Sequence, residues 1–336
     1  MKKIVAFGEV LLRFSTQGHL KFSQAGAFNA DYGGSELNVL TGLANFGMQA
    51  EMVTRLPDND IALSALMQMR KYNVGTHHIV KGGDRLGLYF LEKGASVRGS
   101  KIVYDRAHSA FAQIKKGMVD WKEVFKDASW FHWSGITPGV SQGAADACME
   151  AIGVATEMGL TISTDFNYRA NLWNYGKTPG EIMENMVAKC HVILAGDYAS
   201  QQYFNIVPEG ENEKALQASL CNKLKARFPL AQKIVITNRK NISAMHNLWS
   251  AVLYDGNKLI ESTSYEITDI VDRIGAGDSF MGALIYGLNH YNDQKALDFA
   301  VAASCLKHTI YGDANLVSKE DVESLMGGDT SGRVKR

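Results

Sequence analysis

The sequence predicts an α/β fold in which helices cover both faces of a mainly parallel β-sheet. Short apolar runs alternate with helical patterns through most of the chain, and this alternation is typical of parallel sheets. The length of 336 residues suits one large α/β domain or two small ones. Ligands of such sheets bind at the carboxyl ends of the strands, so we expect the functional site at that edge.

The individual elements follow from the apolar patterns. The predicted strands are Lys3–Phe7, Glu51–Thr54, Trp130–Trp133, Leu160–Thr164, His191–Leu194 and Lys233–Thr237. The predicted helices are Ser35–Phe46, Ile61–Tyr72, Ser141–Met158, Glu213–Phe228, Asp278–His290, Gln294–His308 and Lys319–Leu325.

Two segments, at about 11–32 and 83–112, interrupt the strand and helix alternation. The second contains two predicted strands, Leu86–Glu92 and Lys101–Arg106, joined by a glycine-containing turn. We expect these insertions to form a small sheet that covers the substrate as a lid, although a pair of surface hairpins fits the same pattern. The remaining sequence indicates one domain over residues 1–326 and a polar tail at 327–336.

Composition and charge indicate an ordinary cytoplasmic protein. With 46% hydrophobic and 21% charged residues, and with 35 basic and 35 acidic side chains, nothing favours a nucleic-acid or membrane partner. No apolar run approaches the roughly 18–20 residues of a membrane helix, and the N-terminal run is too short for a signal peptide. The four cysteines lack metal-ligand spacing, so we expect reduced, buried thiols.

The most informative segment is the glycine-rich stretch Val271–Phe280, which an apolar helix follows. Gly275, Ala276 and Gly277 allow backbone N–H groups at the start of that helix to surround an anion, such as a phosphate in transfer. Asp278 would then accept the proton of an attacking hydroxyl. On spacing alone, a helix-capping role for Asp278 fits better than a catalytic one. The chain has no Walker-type phosphate loop, which argues against a P-loop ATPase.

Two motifs resemble those of the ribokinase family of carbohydrate kinases. They are the stretch that ends Gly275-Ala-Gly-Asp278, preceded by Asp272, and the turn and helix Gly33-Gly-Ser-Glu-Leu-Asn38. The resemblance covers nearly the whole chain. It implies a ribokinase-like three-layer sandwich with a small β-sheet lid, ATP and Mg²⁺ as cofactors, Asp278 as the catalytic base and the Gly275–Gly277 amides as the anion hole.

Within that family the sequence resembles the 2-keto-3-deoxygluconate kinases. The resemblance rests on Asp165-Phe-Asn-Tyr-Arg169, Leu88-Tyr-Phe90, Tyr104-Asp-Arg106, and the segment 302–308 followed by Gly312-Asp313. It implies ATP-dependent phosphorylation of the terminal hydroxyl of 2-keto-3-deoxygluconate. The implied substrate contacts are Gly33, Gly34, Asn38, Tyr89, Tyr104, Arg106 and Arg169. An arginine can bind the substrate carboxylate bidentately.

Other functions stay open at this point. A neutral hexose such as fructose would need no arginine for a carboxylate. A weakly catalytic sugar-acid-binding protein would need no catalytic base.

The nucleotide and metal sites depart in part from the family pattern. Relatives carry Asn-x-x-Glu where this chain has Asp197 to Ser200, so Asp197 is the expected partner of magnesium-bound water. Thr237, Arg239 and Ser304, with Gly275 and Gly277, are expected to contact the nucleotide. Asp272 matches the position at which the family often binds potassium. Assembly of a homo-oligomer through the lid strands is a further expectation from the resemblance.

Overall fold

A computed structural model of the chain describes residues 2–329, so most of the predicted tail lies outside the described residues. Fifteen strands occur within this range. They are β1 (Lys3–Phe7), β2 (Leu11–Thr16), β3 (Phe28–Gly33), β4 (Gln49–Leu56), β5 (Val74–Gly75), β6 (Ile79–Lys81), β7 (Gly87–Glu92), β8 (Lys101–Asp105), β9 (Ala128–Ser134), β10 (Thr161–Asp165), β11 (Val192–Ala195), β12 (Lys233–Ser243), β13 (His246–Tyr254), β14 (Leu259–Glu261) and β15 (Tyr265–Ile267).

The helices connect these strands in sequence. They are α1 (Ser35–Asn45), α2 (Asp60–Lys71), α3 (Trp121–Val124), α4 (Ile136–Val140), α5 (Gln142–Glu157), α6 (Pro179–Val187), α7 (Asp197–Phe204), α8 (Glu213–Arg227), α9 (Ala276–His290), α10 (Asp293–Lys307) and α11 (Lys319–Met326). Side-chain caps fix several starts: Asn59, Ser141 and Asn292 each accept a hydrogen bond from the backbone of the following turn.

The large sheet has the predicted mainly parallel architecture. Its strand order is β14-β13-β12-β11-β10-β9-β1-β4-β5, with β6 beside β4 and β15 beside β13. In this order, all neighbouring strands from β12 across to β5 pair in parallel. Strand β13 pairs antiparallel with β12 and begins an antiparallel edge. The chain therefore brings the carboxyl ends of β1, β9, β10 and β12 to one edge.

Helices pack on both faces of this sheet, which gives three layers. Successive side chains of β1 alternate between the two cores: Ile4 and Ala6 face one, and Val5 and Phe7 face the other. The first core contains α1, α9 and α10, and α9 packs against both of the others. The second contains α5, α6 and α8.

A separate four-stranded sheet, in the order β3-β2-β7-β8, lies beside the carboxyl edge of the large sheet. Strand β2 pairs in parallel with β7 and antiparallel with β3. The residues Gly8 to Val10 alone separate β1 in the large sheet from β2 in the small one. The small sheet is thus joined to the centre of the fold by a very short connection.

Three local predictions were incomplete. Strand β12 does not end at Thr237 but continues to Ser243 in a long hairpin with β13. The helix predicted over Ser141–Met158 is preceded by the short helix α4. The helices α3, α6 and α7 and the strands β13 to β15 were not predicted. Three of the four cysteines are buried as expected, whereas Cys305 is half-buried. Within residues 2–329, no helix combines the length and apolar character that crossing a membrane would require.

Candidate active site

The main cavity, of about 590 Å³, lies between the carboxyl ends of the parallel strands and the small sheet. The start of α1 and the glycine-rich turn before α9 contribute to its wall, so two helix N-termini meet there. Helix N-termini carry partial positive charge and favour anions. The position is the one expected for ligands of a parallel sheet.

Asp278 stands in the first turn of α9 and faces this cavity. Its Oδ1 accepts a hydrogen bond from Ser35 Oγ at 2.8 Å, and its Oδ2 accepts one from Asn38 Nδ2 at 2.7 Å. The N-cap of α9 is Gly275, and no side chain caps it. Asp278 is therefore not the cap of its own helix. It is held by the first turn of a helix distant in sequence.

Two carboxyl groups share this part of the cavity. Burial raises the pKa of Asp278 above its usual value, although the hydrogen bonds from Asn38 and Ser35 oppose the shift. Burial, and next the negative charge of Asp278, raise the pKa of Asp165 to about 7. Among the described residues, no lysine or arginine forms an ion pair with either group. Asp165 can therefore change protonation near neutral pH, and the raised pKa of Asp278 makes its carboxylate a stronger base than an exposed aspartate.

The turn before α9 needs glycine at its first position. Gly275 has φ +78°, and a Cβ there would clash with the backbone carbonyl of Asp313. Ala276 and Gly277 also line the cavity. Ser304 lies outside the cavity lining: it is fully buried, and its hydroxyl donates to the Ala276 carbonyl at 2.7 Å. In this structure Ser304 supports the turn from behind.

The wall formed by the small sheet holds three of the predicted substrate residues. Tyr89 and Tyr104 pack with ring centroids 5.8 Å apart. Arg106 donates from Nε to Glu9 Oε2 at 2.7 Å, and its Nη2 binds the same oxygen. Glu9 is buried and also accepts from Ser109. The guanidinium of Arg106 is therefore largely committed to Glu9.

Three other arginines line the opposite part of the cavity. Arg169 is exposed, and its one hydrogen bond within residues 2–329 goes to the Tyr168 carbonyl, at 3.1 Å. Desolvation, and next the charge of Arg169, lower the pKa of Arg239. Desolvation, and next the charge of Arg239, lower the pKa of Arg273. These guanidinium groups repel one another, so a bound anion would stabilise all three.

The remaining predicted residues are distributed unequally. Gly34, Asn38 and Thr237 line the cavity. Gly33 does not, because it packs against the Asp313 carboxyl. Asp197 is exposed at the start of α7 and lies outside the cavity lining. Asp272 is buried, and its Oδ2 accepts from Arg13 at 2.5 Å.

Several cavity residues had no predicted role. They are Glu9, Ser35, Asp165, Asn167, Arg273 and Asp313. Ser35, Asp165, Asn167, Arg273 and Asp313 fall within the stretches that carried the resemblance, so their position in the sequence was a usable signal. Glu9 had none, since its partner Arg106 is 97 positions away.

The family profile described as "pfkB family carbohydrate kinase" matches residues 1–320. The chain belongs to this family. As a pfkB family carbohydrate kinase it is a phosphotransferase, and the ribokinase-like fold predicted from the sequence is confirmed.

Similar proteins carry more specific names. The crystal structure of 2-dehydro-3-deoxygluconokinase from Thermotoga maritima is 42% identical, covers 98% of this chain and 100% of its own, and has a TM-score of 0.93. A 2-dehydro-3-deoxygalactonokinase of Haloferax volcanii is 27% identical over 331 residues, 98% of each chain. A 2-dehydro-3-deoxygluconokinase of Thermoproteus tenax is 25% identical over 333 residues, 97% of this chain and 94% of its own.

Proposed function

We propose that this pfkB family kinase phosphorylates the C6 hydroxyl of 2-keto-3-deoxygluconate with ATP, giving 2-keto-3-deoxy-6-phosphogluconate and ADP. The assignment of this reaction rests on the Asp278 carboxylate, which Ser35 and Asn38 hold beside the glycine-rich start of α9. The similarity to two proteins named 2-dehydro-3-deoxygluconokinase supports the substrate.

The reaction needs positioning and charge neutralisation more than covalent help. The C6 oxygen attacks the γ-phosphorus, the bond from that phosphorus to the ADP oxygen breaks, and the hydroxyl proton passes to Asp278. The hydrogen bonds from Ser35 and Asn38 fix both carboxylate oxygens, so the base has one orientation. The backbone amides at Gly275–Gly277 stabilise the phosphoryl oxygens, helped by the positive end of α9.

The nucleotide phosphates would lie against the part of the cavity wall that Arg239 and Arg273 form. Arg239 and Arg273 have no carboxylate ion-pair partner among the described residues, and the lowered pKa of each is relieved by a phosphate charge. Thr237 stands at the same wall. Mg²⁺ on the nucleotide would supply further charge neutralisation. Asp197, the predicted partner of its water shell, lies outside the cavity lining.

The substrate carboxylate is assigned to Arg169. Arg106 already neutralises the buried Glu9, whereas the guanidinium of Arg169 is exposed and forms no ion pair within the described chain. Tyr89 and Tyr104 supply apolar faces and hydroxyl groups for the carbon chain. Gly34 brings the backbone close to the sugar at the start of α1.

A second candidate substrate is 2-keto-3-deoxygalactonate, which differs in configuration at C4. The relative named 2-dehydro-3-deoxygalactonokinase spans 98% of this chain and favours its inclusion. Both acids present the same carboxylate and the same terminal hydroxyl to the groups described above.

Self-association through the small sheet is also proposed. Its two edge strands, β3 and β8, expose the apolar side chains of Phe28, Ile102 and Val103. Analytical ultracentrifugation tests this, and a strictly monomeric chain would contradict it.

The deciding assay measures ADP release with Mg-ATP on the two keto-deoxy acids, gluconate, fructose and ribose. We expect turnover of one or both keto-deoxy acids well above the rest. Preferred turnover of fructose would contradict the acid substrate and leave the kinase chemistry intact. Tight binding of an acid without turnover would favour the sugar-acid-binding alternative.

Arg169→Ala sharpens the assay. Loss of a bidentate carboxylate contact should reduce kcat/KM for the acid by about 100-fold and change that for a neutral sugar little. Arg70→Ala, an exposed arginine on α2, is the matched control and should have no effect. Equal losses for acidic and neutral sugars would contradict the assignment of Arg169.

A further inference from the structure

A fully buried lysine lies directly behind the glycine-rich turn. Lys307 is the last residue of α10 and has no exposed surface. Its Nζ donates to the backbone carbonyls of Asp272, at 3.2 Å, and of Ile310, at 3.3 Å. A buried ammonium normally has an anionic partner, because removing its charge from water is costly. Lys307 has backbone carbonyls instead.

The surrounding charges form one closed cluster. Arg13 donates from Nη2 to Asp272 Oδ2 and from Nη1 to Asp313 Oδ1, both at 2.5 Å. Tyr89 donates to the other oxygen of Asp313. The Lys93 ammonium lies 3.8 Å from Asp272 Oδ2. The carboxylates of Asp272 and Asp313 are therefore balanced by the guanidinium of Arg13 and the ammonium of Lys307. The ammonium of Lys93 lies at the edge of the cluster.

This cluster holds the backbone on which the anion hole is built. Asp272 stands three residues before Gly275, and its Oδ1 also accepts from the Ile274 amide at 3.1 Å. The segment from Ile310 to Asp313 packs against the other side of the turn, where the Asp313 carbonyl meets Gly275. Lys307 thus joins the two backbone segments that support the turn.

A potassium ion does not fit this place. Potassium is bound in proteins by rings of carbonyl and carboxylate oxygens that replace its hydration shell. Here the carbonyls of Asp272 and Ile310 already accept from an ammonium, and the Asp272 carboxylate already accepts from Arg13. The potassium site expected at Asp272 therefore disagrees with the residues that surround it.

We propose that the Lys307 ammonium is a built-in cation that positions the phosphate-binding turn, so that the kinase needs no monovalent metal ion. Lys307 acts as a positioning residue, through the carbonyls of Asp272 and Ile310, and Arg13 completes the charge balance. Although burial lowers the pKa of Lys307 to about 8, and Asp272 and Asp313 oppose that shift, the ammonium form persists at pH 7.

The test compares cations and uses the proposed kinase activity as one of two readouts. Turnover and Tm of the wild-type chain are measured in potassium, sodium and tetramethylammonium chloride at equal ionic strength. We expect the same kcat and Tm in all three. Potassium-dependent activation, or a Tm raised by potassium alone, would overturn the inference.

Lys307→Met supplies the second arm. We expect kcat to fall about tenfold or more in tetramethylammonium, with a smaller change in the KM for the sugar, and to recover in part in potassium or ammonium. Tm should likewise rise only with those small cations. If Lys307→Met does not fold, Lys307→Gln is measured in its place. Lys295→Met, on the exposed side of the same helix, should behave as wild type.

The outcomes separate this inference from the proposed function on which it rests. A loss in Lys307→Met that no small cation restores would show a role in stability alone and contradict the built-in cation. Absence of turnover in every salt would contradict the kinase function, and the Tm comparison would still decide the role of Lys307.

Discussion

Two pairs of aspartates flank the glycine-rich turn, one half-buried and one buried, and they differ in their counter-charges. In front of the turn, Asp278 and Asp165 face the cavity with hydroxyl, amide and backbone donors but no ion pair among residues 2–329. Behind it, Asp272 and Asp313 share the guanidinium of Arg13, although Asp313 also reaches the cavity wall. Aspartate side chains are thus available for proton transfer in front of the turn and are neutralised by ion pairs behind it.

The comparison shows how the fold separates reactivity from rigidity over a few residues. The carboxylates in front face the cavity without an ion pair, so they are available for proton transfer. The ion pairs of the carboxylates behind the turn fix the backbone. We therefore expect substitutions in front to change the chemistry and substitutions behind to change stability first.

The largest effect is expected from Asp278→Asn. Removal of the base should lower kcat by about 100- to 10,000-fold. Because the folded chain holds this proton more tightly than the unfolded chain, ionised Asp278 costs stability at neutral pH. The variant should therefore unfold at an equal or higher Tm. Steady-state kinetics and thermal unfolding check both parts, and a lower Tm with nearly normal kcat would indicate a structural carboxylate.

The next largest effect, on stability, is expected from Arg13→Met. The side chains of Arg13, Asp272 and Asp313 are 2–3% exposed, so the loss of the guanidinium leaves two buried carboxylates without it. Breaking such a buried group costs about 3–5 kcal/mol. Urea unfolding measures the change. Arg13→Lys should restore part of it, and a loss below about 1 kcal/mol would contradict the proposed rigidity of the rear cluster.

The smallest effect, and the most diagnostic for the front pair, is a pH shift in Asp165→Asn. The two carboxyl groups titrate as a pair, and a negative charge on one disfavours ionisation of the other. Without the Asp165 charge, Asp278 should ionise at lower pH. The acid limb of the pH profile of kcat/KM should move in that direction. An unmoved limb would show that the two groups are not coupled.

Local patterns in the sequence predicted most of the large sheet. All seven predicted helices and most predicted strands agree with the structure within a few residues, because their apolar periodicity records the faces that they bury. The extension of β12 through Asn238-Arg-Lys-Asn241 was missed. Those residues have low strand propensity, and pairing with β13 imposes the strand.

The site was predictable where its residues share a motif with their neighbours in the chain. Asp278 and Gly275 belong to one stretch, and Asn38 to another. The rear cluster was not predictable, since Arg13 pairs with carboxylates 259 and 300 positions away and no local pattern marks a buried ion pair. The ion pair of Arg106 with Glu9 was not predictable for the same reason, because the two residues are 97 positions apart.

The long-range pairs of Arg13 also set an order for folding during synthesis. Strands β1 and β2 leave the ribosome first, and β9 to β12 can then add to the growing sheet in chain order. Arg13 meets its carboxylates only after the segment that carries Asp272 and Asp313 has emerged. The phosphate-binding turn is therefore completed only after the strands of the large sheet have emerged. A nascent chain can possess most of its large sheet before it possesses any catalytic site.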